Sequence, residues 1–118
     1  MTALSSIVSE QASATEATEE KVMQLLDYLA TKPNTTIQFH ASKMILNVHS
    51  DASYLSEPNA KSRMTGHYFL GKIPSNGRPI MTKRNIFVMC GILKFAVCSA
   101  AEAELAALFL NAKAGKII

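Results

Sequence analysis

The stretch Ser99-Ala100-Ala101-Glu102-Ala103-Glu104-Leu105-Ala106-Ala107-Leu108 admits one backbone. Alanine is the strongest helix former, and it fills half of these positions. Ser99 and Glu102 stand at capping-box spacing, with Glu102 expected to reach back to the Ser99 N–H. A helix this rich in small side chains has to be laid on another element to bury anything. The preceding residues supply one. Residues 86–98 are β-branched and aromatic in places and read as a strand, with Gly91 at a bulge or break.

The rest of the middle of the chain reads in the same way. Thr36–His40 and Met44–His49 are strand-like. In the second, residues 44, 46 and 48 form an apolar face, while Ile45, Asn47, His49 and Asp51 share the other. Residues 52–65 read as a polar loop, and Gly66–Ile73 as a further strand. Pro74-Ser75-Asn76-Gly77-Arg78-Pro79 is dense in turn residues and reads as a hairpin connection. Before these strands, Val22, Leu25, Leu26 and Leu29 recur at helical spacing, so residues 19–31 are expected to be a helix, N-capped by Thr18 and stopped by Pro33-Asn34. Residues 1–18 show no period and are expected to be flexible. The order predicts an α/β fold, an antiparallel strand meander packed by a helix and preceded by an N-terminal helix.

With 118 residues, 48% of them apolar and 18% charged, the chain fits one small domain. Its charge is unevenly spread. Acidic residues dominate the first thirty positions, whereas residues 59–100 contain none and hold Lys61, Arg63, Lys72, Arg78, Lys83, Arg84 and Lys94. Such a segment either lines a phosphate backbone or forms a solvated basic face. Cys90 and Cys98 have neither zinc-ligand nor disulfide-framework spacing and read as reduced, buried thiols. The start of the chain lacks the pattern of a signal peptide, and Lys94 and Gly91 interrupt the longest apolar region. The expectation is an intracellular protein, of cytoplasm or nucleus, neither secreted nor membrane-bound.

Three carboxylates invite chemistry. Glu102 has a structural use in the cap. Glu104 has none, and it flanks the face that its helix must bury. Asp51 follows an apolar strand, where it serves either a turn or a metal. Asp51 and Glu104 together could hold Mg²⁺, although a metal-dependent nuclease site draws on more than two carboxylates and residues 105–118 contain none. The histidines lack metal-ligand spacing, and no phosphate-cradling glycine loop or nucleophile elbow occurs.

Three blocks carry a family resemblance. Lys21–Thr31 resembles the helix with a YLxxT ending that closes a retroelement polymerase. His49-Ser50-Asp51-Ala52-Ser53-Tyr54, followed by Gly66-His67-Tyr68-Phe69-Leu70-Gly71, resembles an SDADW block and an STSGYxFxLG strand. Ala96–Leu108 resembles a VALSSAEAEYxAL signature. In this order, over roughly residues 19–112, they are similar to the ribonuclease H region of copia-type LTR retrotransposon polyproteins. The resemblance implies a ribonuclease H-like fold, two Mg²⁺ ions held by four acidic residues, and hydrolysis of the RNA strand of RNA–DNA hybrids. It matches Asp51 to the first catalytic, metal-binding Asp and Glu104 to the catalytic, metal-binding Glu. Lys61, Arg63, Lys83 and Arg84 become the expected nucleic-acid contacts.

Two departures qualify it. The third and fourth carboxylates have no counterpart, and Lys61-Ser62-Arg63-Met64-Thr65-Gly66 replaces the usual STSG run. The expected organisation is a flexible segment 1–18, a helix and linker 19–35 from the end of a polymerase-like region, and a truncated ribonuclease H-like domain 36–118. The expected function is that of a retrotransposon ribonuclease H fragment, inactive alone because half the carboxylates are missing, with an RNA–DNA hybrid or other nucleic acid and the rest of a retroelement polyprotein as expected partners. The alternative is a non-catalytic nucleic-acid-binding or functionless remnant.

Overall fold

The computed structural model describes residues 2–75, 77 and 84–118. They fall into two compact units, one ending at Ile37 and one beginning at Gln38.

The first unit contains α1 (Thr2–Ser9) and α2 (Glu16–Ala30), with a 3-10 turn at Gln11–Ser13 between them. The flexible segment expected over residues 1–18 is therefore a helix, a turn and the start of a second helix. Thr15, and not Thr18, is the N-cap of α2. Its backbone N–H donates to Thr18 Oγ1 at 3.2 Å. Thr18 is buried and donates its hydroxyl to Glu10 Oε2 at 3.0 Å, while Lys21 Nζ donates to Glu10 Oε1 at 2.7 Å. Polar contacts order this region, which is why its sequence shows no apolar period. Glu16 and Glu19 in the first turn of α2 suit the positive end of the helix dipole. Of the expected apolar stripe, Val22 and Leu25 are half-buried, and Leu26 and Leu29 are exposed.

The second unit is a three-stranded antiparallel sheet, β1 (Ile45–Glu57), β2 (Lys61–Gly71) and β3 (Phe87–Ile92), ordered β1-β2-β3 and followed by α3 (Ala100–Gly115). In register, Ser50 faces Gly66, Asp51 faces Thr65, and His67 faces Val88. The architecture is thus mixed α and β with an open sheet.

Several strand expectations need correction. Thr36–His40 forms no strand. Ile37 and Phe39 are exposed there, and Gln38 O is taken by Arg84 Nη1 at 2.7 Å instead of by a ladder. Residues 52–65 are not a loop: β1 continues to Glu57, Pro58–Ala60 makes the turn, and β2 starts at Lys61. The segment is polar because β1 is an outer strand with wet side chains. Of the expected hairpin connection, Asn76, Arg78 and Pro79 lie outside the described residues. β3 stops at Ile92, and Gly91 pairs with Met64 in unbroken register, so it makes no bulge.

α3 begins as its sequence dictates. Ser99 is the N-cap, its Oγ accepting from the Glu102 N–H at 3.1 Å. Glu102, however, accepts from the Cys98 N–H at 2.6 Å and not from that of Ser99. The helix packs chiefly on β1 and less on β2. Met64, Leu93, Val97, Ala103 and Ala107 form the apolar core, with Ala52, Met89, Ala106 and Leu110 against it. The alanines let helix and sheet approach closely.

A buried polar cluster extends this contact. Asn111 is fully buried; its Nδ2 donates to Ser50 Oγ at 2.8 Å and to Thr65 O at 2.9 Å. The Tyr68 hydroxyl lies 3.0 Å from Asn111 Oδ1 and 3.1 Å from Asn111 O, and donates there. Gly66 makes the room, since a Cβ at that position would overlap the Asn111 carboxamide and lie 3.0 Å from Tyr68 Cε2. Among the described residues, no helix is long and apolar enough to cross a membrane.

Candidate functional site

Strand alternation decides where the side chains of β1 go. Ser50 bonds Asn111 of α3, and Ala52 packs against the core beneath α3. The register is unbroken from Ile45 to Ser53, so Asn47, His49 and Asp51 stand on the opposite face. Asp51 is exposed there.

Glu104 approaches the same strand from the helix. It too is exposed, and its Oε1 accepts from the Ala52 N–H at 3.4 Å, a long and weak bond. The structure therefore brings Glu104 to the peptide that joins Asp51 to Ala52, while the Asp51 side chain stands on the far face of the sheet. The two expected ligands are neighbours along the strand and do not share a face. Their oxygens are of the kind that Mg²⁺ takes. Among the described residues, no group of three His, Cys, Asp or Glu side chains gathers that could hold an ion. The pair fits Mg²⁺ in donor type, but neither in number nor in facing.

The four expected nucleic-acid contacts diverge. Lys61 is exposed at the start of β2. Arg63 is not a surface residue: its side chain is 2% exposed, and its Nε donates to Glu57 Oε1 at 2.6 Å. Its Nη1 lies 3.6 Å from Cys90 Sγ. The Glu57 carboxylate raises the pKa of the guanidinium still further, against the opposing effect of burial. Arg63 thus serves the fold, a correction to its expected role. Lys83 lies outside the described residues. Arg84 is exposed, donates to Gln38 O, and lines a cavity of about 770 Å³ with Phe39, Met44, Leu70 and Ile86.

Two buried features escaped the sequence reading. One is the Glu57–Arg63 pair, whose only signal is opposite charge on either side of the Pro58-Asn59 turn. The other is Asn111, which has no sequence signal beyond a polar residue four after Ala107 on the buried face of α3. Burial also raises the pKa of the Tyr68 phenol that bonds it. Among the described residues neither cysteine is in a disulfide; Cys90 is half-buried, and Cys98 is exposed instead of buried. His67 Nδ1 pairs with Asn85 Nδ2 at 2.9 Å, a structural use.

Comparison with protein-family models, with curated proteins and with solved structures finds no match to this chain.

Proposed function

We propose that this chain is part of a ribonuclease H-type nuclease of the copia-like retroelement kind, and that by itself it cleaves no RNA–DNA hybrid. The single observation that carries the reading is the placement of Glu104. A helix bearing the SAAEAELAAL block delivers that carboxylate to the strand bearing the HSDASY block, at the amide next to Asp51. The antiparallel meander followed by a helix that packs on its first strand supports the same reading.

The intact family uses two Mg²⁺ ions to activate a water and to stabilise the leaving oxygen. Within these residues, Asp51 and Glu104 stand on different sides of the edge strand, so hydrolysis needs further carboxylates and a different facing of Asp51. The hybrid would be held through its backbone and 2′-hydroxyls, with exposed Lys61 and Arg84 as contacts.

The test is Mg²⁺-dependent cleavage of an end-labelled hybrid by the purified chain, together with hybrid binding followed by fluorescence anisotropy across a salt series. The expected result is no cleavage, with salt-dependent binding whose log–log slope falls by about 1 in Lys61→Glu. Robust cleavage abolished by Asp51→Asn would overturn the claim of inactivity. Absence of hybrid binding at low salt would remove nucleic acid as the partner.

A further inference from the structure

β1 is the outer strand of the sheet, and among the described residues no strand pairs with its outer edge. Natural edges are blunted by lysine, proline or bulges. From Ile45 to Ser53 this edge has neither lysine nor proline, and its register is regular. The Ala52 N–H donates to Glu104 and so points away from β2. By ladder alternation, Val48 and Ser50 present their N–H and C=O groups on the same outer side.

We propose that two copies of this chain pair edge to edge through β1, antiparallel and centred on Ser50. In that register Ser50 pairs with Ser50 of the second copy, and Val48 with Ala52, through the outward-facing backbone groups. The intervening positions are non-hydrogen-bonded pairs, in which side chains come closest. There His49 meets Asp51 of the second copy, and the two-fold axis repeats the contact. Imidazole faces carboxylate twice. Sliding by two residues either way destroys this, setting His49 against His49 and Asp51 against Asn47 in one direction, and Asp51 against Asp51 in the other. The charge pattern therefore selects a single register.

The two-fold axis is perpendicular to the sheet, so both α3 helices lie on one face of a continuous six-stranded sheet. Glu104 and Leu108, one turn apart, share the flank of α3 that reaches the edge. Leu108 is 56% exposed in the single chain and gains cover from its copy, while Glu104 releases the Ala52 amide to the second strand. The pairing is independent of the nuclease reading, because it uses backbone groups and the His49–Asp51 match and needs no metal.

Sedimentation equilibrium of the full chain, from micromolar to submillimolar concentration, tests it. The expected result is a reversible dimer, about tenfold weaker in His49→Asp and restored in the exchanged His49→Asp/Asp51→His variant, which regenerates both contacts. Ser50→Pro should abolish the dimer by removing a central donor, with circular dichroism reporting whether the fold survives. If Ser50→Pro unfolds, the exchange series still decides, because His49 and Asp51 are both exposed. A chain that stays monomeric throughout overturns the proposal. So does a dimer indifferent to His49→Asp, or one that the exchange fails to restore.

Discussion

Charge alone does not say whether a side chain meets water. Arg63 sits in a run of basic residues that reads as a surface, yet it is held inside by Glu57, whose own side chain is 13% exposed. Breaking such a pair leaves a charge buried, which is costlier than never having had one. Glu57→Gln is expected to lower stability by about 3 kcal/mol in urea unfolding, whereas Glu57→Gln combined with Arg63→Met should recover most of the loss. The sequence hides this pair because its partners join only when β1 and β2 fold back on each other. Asp51 was legible as a residue at the close of an apolar run. The face it takes was not, since that depends on which side of β1 receives α3.

At the scale of elements, what could be read locally was read well. α3 is specified by its alanines and by Ser99, and Ser99→Ala should cost about 1 kcal/mol in the same assay. The β1–β2 hairpin was missed because its strands are polar where they are wet. Its turn carries a cost that a substitution can expose. Asn59 and Ala60 both adopt left-handed backbone, with φ of 60° and 53°. Asparagine tolerates this region, whereas alanine does so poorly. Ala60→Gly is accordingly expected to raise stability by about 0.5–1 kcal/mol, measured as a higher urea midpoint at unchanged slope. Thr36–His40 shows the opposite failure: its β-branched and aromatic residues suit a strand, but no neighbour supplies the ladder.

For the whole molecule, the two units should fail at opposite ends of the pH scale. In the first, Lys21 and then Thr18 bond Glu10 and lower its pKa. The unfolded chain therefore takes up that proton first as the medium is acidified. The contribution is present above the carboxylate range and lost as pH falls below about 4, where amide exchange in the first turn of α2 should accelerate. Glu10→Gln should remove that dependence. In the second unit, burial raises the Tyr68 pKa, so the unfolded chain ionises first. Stability is intact below pH about 10 and falls as pH rises beyond it, with Tyr68→Phe flattening the alkaline limb of the urea midpoint. A helix packed on an antiparallel sheet was legible from the alanine-rich block and the strand-like runs before it, whereas α1 and the extent of the β1–β2 hairpin were not. Nor was the orientation of the carboxylates, because side-chain facing is fixed by packing between elements far apart in the chain.

The glycine that makes room for a buried carboxamide has a consequence for how this chain can change over generations. Enlarging residue 66 while Asn111 remains forces an overlap. Shrinking residue 111 while Gly66 remains leaves a void and removes the donor to Ser50 Oγ and the Thr65 carbonyl, together with one of the two acceptors of the Tyr68 hydroxyl. Each first step is uphill, so positions 66 and 111 are expected to drift as a pair or not at all. A lineage that has lost one should have replaced the other.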